Sequence, residues 1–455
     1  MTDNKAMLPN SNGLVRSNLW PMQLTNRIKS LIRHQGVQRY AFNASWLFAE
    51  NFLRGVAGVF VGIYVARHLG PERFGVFSYI TSVVAIFAAV ARLGLDGIMT
   101  REFVQRPQQS AIDLGTAFWM MIGAACVCLV FLAATMAIFD HEAIHIYYAL
   151  LAGGIIIFQS FGNVDWFFQA RVQAKYASIG RVIGLATSSA VKIGAVFLHA
   201  DLLFFFVIAL FDQMFLAFLY IVIGRSKGLP RFFSNFSGAR AKELIQSSWP
   251  LIFTALAIIL YMKIDQIMIK AMLGEREVGI YSAAVKIYEA WVMIPFLITT
   301  SMVPAIVKAK SLGEAVYHRR MVYLFRFIFW LSIFAAGFVI IFSNWIISHS
   351  FGPAYQKAAS VLAVVMFTTA GTALGSGTAR YLIVEGMEKK IAARTIVAAV
   401  VNGLLNVVLI PRMGIQGAAV ATLTCTFVGN YLLDWFDADL KTLLAIKHRA
   451  IFFLP

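Results

Sequence analysis

Four couples of ionisable residues interrupt stretches of this chain that are otherwise apolar: Glu50 with Arg54, Arg92 with Asp96, Lys263 with Asp265, and Lys286 with Glu289. A charge at the centre of a bilayer costs roughly 2.5–3.5 kcal/mol or more, so such residues face a partner or a wet cavity. In three of the couples acid and base stand three or four residues apart, on one helical face, where they can neutralise each other. Lys263 and Asp265 stand two apart, and each needs a partner on another helix. The chemistry open to these groups is electrostatic: permanent ion pairing, or exchange of a carboxylate for an anionic ligand. Asp165, Arg181, Lys192, Asp212, Arg326 and Arg380 are further ionisable residues in apolar surroundings. Arg181, Arg326 and Arg380 fall near the ends of their stretches, from which long side chains snorkel to the headgroups.

No catalytic pattern accompanies them. The chain has neither G-x-x-x-x-G-K-[ST] nor H-E-x-x-H, so nucleotide hydrolysis is not expected, and the reading is of a non-enzyme with no cofactor and no metal. Cys126, Cys128 and Cys425 all lie in apolar stretches, and a C-x-C pair on a helix points its thiols apart, which argues against disulfides and zinc. Gly371, Gly375 and Gly377 look like a glycine-rich loop, but within an apolar helix they read as small residues that let helices pack closely.

The elements that must position these groups are transmembrane helices. Hydrophobic residues make up 60% of the chain and charged residues 13%, with a mean hydropathy of +0.74, which leaves no polar surface for a water-soluble body of this size. The apolar runs are nearly continuous, as at 127–139 and 202–223, where a barrel strand would alternate. An all-α polytopic membrane protein follows, with expected spans at 42–66, 76–98, 116–139, 144–168, 176–199, 201–223, 244–270, 278–306, 321–347, 355–383, 390–410 and 413–436. Twelve spans put both termini on one side. Pro295, inside the eighth, removes a backbone hydrogen bond near Lys286 and Glu289.

The connections on the terminal side hold most of the Lys and Arg residues: Arg27, Lys29, Arg33 and Arg39, then Arg101, Arg106, Arg171, Lys175 and the stretches 225–242, 308–320 and 389–394. The opposite side carries Asp140, Glu142, Asp201, Glu275 and Glu277. Cytoplasmic loops are the ones rich in Lys and Arg, so both termini are expected in the cytoplasm. The formal charge of +17 is spread over short loops at the membrane edge, which points to anionic lipid headgroups as partners and away from nucleic acid. No cleavable leader is apparent. Leu24, Ile28, Leu31 and Ile32 share one helical face, either of a short helix on the inner leaflet or of a basic tail.

The chain also repeats itself. Residues 69–79 (LGPERFGVFSY) and 273–283 (LGEREVGIYSA) align at a constant offset, and Lys175 corresponds to Lys390 further along. An even number of spans per repeat relates the halves by an axis along the membrane normal. The expected organisation is a basic segment at 1–41, an N-lobe at 42–224, a linker at 225–243, a C-lobe at 244–436 and a tail at 437–455.

Two stretches carry a resemblance. Asn43 and Trp46, Glu50-Asn51, Arg54-Gly55 and the run from Ala66 to Gly75 resemble the opening of bacterial polysaccharide-transporter proteins of the O-antigen flippase type. Glu385-Gly386-Met387, Asn402, Asn406, Leu409-Ile410-Pro411 and the run from Gly414 to Thr422 resemble their eleventh and twelfth helices. The motifs are shared in part with lipid II flippases and with multidrug and toxic-compound extrusion transporters, but twelve spans argue against the lipid II branch. The resemblance implies two six-helix lobes around a central cavity, lined by spans 1, 2, 7 and 8, in the bacterial inner membrane. It implies a substrate of undecaprenyl-diphosphate-linked oligosaccharide, an O-antigen or exopolysaccharide unit, moved by alternating access. On that reading Arg54, Lys286, Arg92 and Lys263 are candidates to bind the diphosphate. Glu50, Asp96, Asp212, Asp265 and Glu289 are candidates for coupling or ion pairing, and Glu289 is the expected proton carrier. A polysaccharide polymerase and a chain-length regulator are further candidate partners. Two other readings stand beside it, a small-molecule cation exporter of the same superfamily, whose cavity should be net acidic, and a non-transporting scaffold for polysaccharide enzymes.

Overall fold

A computed structural model describes residues 35–140 and 142–454, with side chains described from Trp46 onward except at residues 47 and 48. The face on which Arg27, Lys29, Arg33 and the amphipathic stretch from Leu24 to Ile32 were expected lies outside the described residues. Helices account for nearly all the rest: α1 (Gln35–Ala91), α2 (Asp96–Gln105), α3 (Ser110–Phe139), α4 (Ala143–Phe158), α5 (Asn163–Ala170), α6 (Lys175–Phe197), α7 (Leu202–Ser226), α8 (Gly238–Leu273), α9 (Glu275–Ser311), α10 (Glu314–Ser350), α11 (Ala358–Val384), α12 (Glu388–Met413), α13 (Ile415–Asn430) and α14 (Lys441–Ile451). Among the described residues, 10 helical segments are long and apolar enough to span a membrane. The first of them turns back at Gly70 and crosses twice, and the 16 residues of α13 pack beside α11 and α12 as a further crossing. The protein is thus an all-α polytopic membrane protein of about twelve spans, as the composition requires.

The repeat seen in the sequence is built into the backbone. Gly70 turns the chain inside α1 with φ 71° and ψ 171°, and Gly274, its counterpart, separates α8 from α9 with φ 91° and ψ 178°. A side chain is disfavoured at both values, so glycine stands at both. Five residues further on, Gly75 and Gly279 bring the two halves together. A methyl group on Gly75 would collide with the carbonyl oxygen of Glu275, and one on Gly279 with that of Pro71. Each half therefore offers the other the same glycine and the same carbonyl, and α1 packs on α9 along this line.

Three apolar clusters show where the molecule is solid. One runs through the half of the membrane farther from the chain termini and unites both repeats, from Val65, Ile80 and Phe206 to Tyr281, Val365 and Ala419. Toward the terminal face the core splits. Leu114, Phe167 and their neighbours form a cluster of N-terminal helices joined by Phe232 of the linker and Leu244 at the start of α8, and Tyr317, Phe325, Leu374 and Leu443 one of C-terminal helices alone. Two lobes joined at one face and parted at the other enclose a cavity open to the terminal face.

Several expectations need correction. Helix α1 ends at Ala91, so Arg92 lies just beyond the second span and Asp96 opens α2, because the turn at 92–95 breaks the helix that the apolar pattern had carried to residue 98. Only residues 227–237 of the expected linker are non-helical, since α8 begins at Gly238 with Ser237 accepting from the Arg240 N–H. The stretch expected as a tail contains α14, docked on α10. Its Lys447 is buried and donates to Asp434 and to the Asn430 carbonyl, and Arg394 donates to the other Asp434 oxygen. Burial draws the Lys447 ammonium down to about 8 against the opposing pull of Asp434. Arg326, expected to snorkel, donates to the Arg449 carbonyl and lies over Phe453.

The glycine contact yields a direct test. Gly75→Val is expected to destabilise the detergent-purified protein by about 1–3 kcal/mol or more, because the added atoms meet backbone that cannot move aside. Gly123→Ala, where a Cβ meets open space, should change stability by no more than about 0.5 kcal/mol. Thermal unfolding followed by fluorescence checks both, and equal melting of the two variants would exclude the tight approach.

Candidate functional site

A cavity of about 1050 Å³ is lined by side chains of both lobes, chiefly of the first. Glu50, Asn51 and Arg54 reach it from α1, and Arg92 from the turn after it. Gln159, Asp165, Trp166 and Gln169 come from the end of α4 and from α5, Arg181 from α6, Gln213 and Tyr220 from α7, and Phe296, Thr300 and Ser301 from α9 just beyond Pro295. Spans 4, 5 and 6 supply much of this lining. The expectation that spans 1, 2, 7 and 8 line the cavity is met by the first, by the end of the second and by the eighth, while the seventh contributes no lining residue.

The charges are ordered around Arg181. Its guanidinium donates to Glu50 Oε2 at 2.8 Å and approaches Asp165 Oδ2 at 2.7 Å, and Ser178 Oγ bonds to both Glu50 and Arg181. With only 11% of its side chain exposed, Arg181 does not snorkel as its position near a span end suggested. Two carboxylates in an apolar wall hold it instead. Glu50 Oε2 is thereby paired, and Arg54, expected as its partner, stays 3.8 Å from the other oxygen, which makes no hydrogen bond among the described residues, with 53% of its side chain exposed, donating to Asn51 Oδ1. Arg92 pairs with Asp96 in the expected i,i+4 manner and lies over the Trp166 ring. Arg380, also expected to snorkel, donates to the cavity residue Thr300 and lies over Phe296. Counted together, Arg54, Arg92, Arg181 and Arg380 oppose Glu50, Asp96 and Asp165, which leaves 4 − 3 = +1.

Deeper in the membrane lies a second set. Lys192 and Asp212 form an ion pair at 2.6 Å, with Ser188 bonded to both. Lys263 pairs with Glu289 at 3.1 Å, across from α8 to α9, as its own spacing required. This corrects the expected Lys286–Glu289 couple: Glu289 is taken by Lys263, and Lys286 lies against Gly62 of α1, in the field of Glu289, Lys263 and Lys192, with no ion pair among the described residues. Three ammonium groups face two carboxylates here, again 3 − 2 = +1.

Asp265 has a different setting. Its oxygens accept from Tyr281 and Thr422 hydroxyls and from the Asn406 amide, each at 2.6 Å, so its partners on α9, α12 and α13 are all neutral. The Asn406 amide oxygen is buried beside it and makes no hydrogen bond.

A helical membrane protein of two lobes, open to one face around a polar cavity, has the architecture of a membrane transporter. Solved structures share that fold. One described as the inward-facing conformation of a multidrug resistance MATE family transporter of the MOP superfamily aligns with a TM-score of 0.69 at 14% identity, over 87% of this chain and 95% of the other. Another, the lipid II flippase MurJ in an inward closed conformation, gives 0.70 at 12% identity over 89% and 91%. A family model described as polysaccharide biosynthesis protein matches residues 41–310, and the chain belongs to that family. It is also similar to the probable flippase AglR of Haloferax volcanii, with 24% identity over 404 residues, 85% of this chain and 80% of the relative.

The geometry separates two arginines that composition alone makes equivalent. Arg181→Ala leaves Glu50 and Asp165 unpaired and is expected to cost about 3–5 kcal/mol of stability. Arg54→Ala removes an exposed group and should cost no more than about 0.5 kcal/mol. Unfolding midpoints of the purified variants measure the difference, and comparable losses would contradict the assignment of Arg181 as the anchor.

Proposed function

We propose that the protein is a lipid-linked oligosaccharide flippase that binds its substrate's diphosphate and first sugars in the cavity on the terminal face. The observation that carries this reading is a polar cavity of about 1050 Å³ with a net cationic border. A glycan headgroup cannot cross roughly 30 Å of hydrocarbon without a replacement for water. Gln159, Gln169, Gln213, Thr300 and Ser301 offer that replacement to sugar hydroxyls, and Trp166, Phe158 and Phe296 offer apolar faces. Arg54, held only loosely by Glu50 and half-exposed, can take phosphate oxygens in a bidentate manner, with Arg92 and Arg380 beside it. The second tier, Lys263 and Lys286, would receive the same anion as it moves inward. A cation exporter would need the opposite excess of charge, so the +1 balance of both tiers disfavours that reading.

On this proposal the substrate is carried by undecaprenyl diphosphate, the membrane is the bacterial inner membrane, and the terminal face is cytoplasmic. The lobes 42–224 and 244–436 then rock about the glycine contact, and the structure corresponds to the inward-open state. The chain acts as a carrier with no reaction of its own, and a polymerase consumes what it delivers.

For coupling, Asp265 is the better carrier of a proton or another monovalent cation than Glu289. Glu289 already has Lys263, whereas Asp265 sits among neutral donors beside an unpartnered amide oxygen.

Arg54→Ala, at matched membrane abundance, should reduce oligosaccharide translocation at least tenfold, with Arg54→Lys intermediate, since an ammonium cannot bind bidentately. Full surface polysaccharide from Arg54→Ala, Arg92→Ala and Lys286→Ala alike would exclude the diphosphate role. In liposomes with an imposed cation gradient at zero potential, Asp265→Asn is expected to remove the dependence of rate on the gradient. A dependence that persists in Asp265→Asn and vanishes in Glu289→Gln would return the role to Glu289.

A further inference from the structure

On the closed face, away from the cavity, a titratable cluster bridges the lobes. Asp140 follows α3 and is fully buried; it accepts from the Glu142 N–H at 3.2 Å and from Lys270 Nζ of α8 at 3.1 Å. These bonds, with His145, hold its carboxyl below the usual range even though burial acts the other way. Both Asp140 oxygens lie 3.0 Å from His145 Nδ1. A carboxylate that already receives Lys270 and an amide is an acceptor, so Nδ1 of His145 carries a proton toward Asp140 and the ring turns Nε2 the other way.

That nitrogen faces two more acids. The His145 side chain is only 2% exposed, and its Nε2 stands 3.4 Å from Glu142 Oε2 and 3.6 Å from Glu275 Oε1. Carboxylate oxygens gathered around one buried nitrogen call for something positive between them. One ligand atom from each of Glu142, His145 and Glu275 can be chosen so that all three lie within 4.8 Å of one another. Bonds of about 2.0–2.2 Å to a tetrahedral ion put neighbouring ligand atoms about 3.3–3.6 Å apart, which the two histidine distances already match. Three carboxylates, Asp140, Glu142 and Glu275, gather around Lys270 and His145, an excess of anionic groups that suits a cation. Asp140 on the far ring nitrogen is the orienting carboxylate that metal-binding histidines characteristically have.

We propose that Glu142, His145 and Glu275 form a binding site for a divalent transition metal of the Zn²⁺ type, and that the bound ion ties the N-terminal lobe to the C-terminal lobe and holds this face shut. Glu142 and His145 belong to the α3–α4 corner, whereas Glu275 is the first residue of α9, whose carbonyl touches Gly75. An ion there braces the helix contact on which closure rests. When the lobes rock, the site separates into Glu142 with His145 on one side and Glu275 alone on the other, so the metal favours one state over the other by its differential affinity. The site is not legible in the sequence, because the third ligand is far along the chain from the other two.

The test uses the full-length protein purified in detergent with Cys126→Ser, which removes an exposed thiol, and Zn²⁺ alone as the probe. Calorimetry should show one Zn²⁺ per chain, with affinity reduced at least tenfold in His145→Ala and in Glu275→Gln. Glu142→Gln changes a side chain that is 57% exposed and tests the ligand role without risk to folding. Spin labels at exposed Lys227 and Lys389, on the open face, should shift toward the longer separation when Zn²⁺ is added, and not in Glu275→Gln. No stoichiometric binding, or equal affinity in all three variants, would overturn the site. Binding without redistribution would overturn the brace, and redistribution with pH alone, without Zn²⁺ binding, would assign the cluster to a protonated histidine instead.

Discussion

Hydrocarbon solvates no charge, so every ionisable group in the spans has to find an opposite charge, a set of dipoles or water, and the interior of this protein is arranged by that need. Arg181 is the clearest case. It lies on α6, Glu50 on α1 and Asp165 on α5, and their mutual attraction draws three helices of the first lobe together at one depth. Once Arg181 has absorbed both carboxylates, Arg54 has nothing of comparable strength to hold it and remains directed into the cavity. The same sorting happens deeper down, where Lys263 captures Glu289 and leaves Lys286 in a field that contains more cations than anions. A binding surface for an anion is thus the remainder left after structural pairs have formed, which explains why it sits beside them.

The two lobes use this constraint unequally. Cavity charge comes mainly from the first lobe, whereas the second contributes Phe296, Leu297, Thr300 and Ser301 from a single helix, with Arg380 at the border. The second lobe keeps its own polar set away from the cavity, around Asp265, where α8, α9, α12 and α13 meet. Recognition and coupling, on the proposed reading, therefore occupy different lobes and communicate through the helices that join them, α1 and α9.

The span pattern, the all-helical class and the repeat were legible in the sequence because each rests on a local signal: continuous apolar runs, absent alternation, and an eleven-residue similarity around Gly75 and Gly279. Pair partners were legible only where spacing decides them, as for Arg92 and Asp96. Where another helix offers a better donor the local rule fails: Glu50 goes to Arg181 and Glu289 to Lys263, and nothing within either helix announces it. The cavity's neutral lining was missed for a related reason. Gln159, Gln169 and Gln213 are single polar residues in apolar stretches, and only the packing of spans 4 to 6 reveals that they share one space. Helix α14 escaped notice because its stretch is short and basic, and the burial of Lys447 depends on Asp434 waiting on another element.

The reciprocal contact of Gly75 with Glu275 and of Gly279 with Pro71 has a meaning that concerns ancestry more than motion. A patch in which each half presents the same residues to the other is the defining property of a two-fold homodimer interface. Here that interface lies within one polypeptide, and the short non-helical segment at 227–237, whose Phe232 packs into the N-terminal cluster, keeps the halves at high effective concentration. The chain carries the form of a paired smaller protein whose copies became joined. After the joining each copy was free to diverge, the first toward a charged cavity wall and the second toward Asp265 and its neutral donors. The glycines at the seam were not, since a side chain on either one would press against the backbone of the other half.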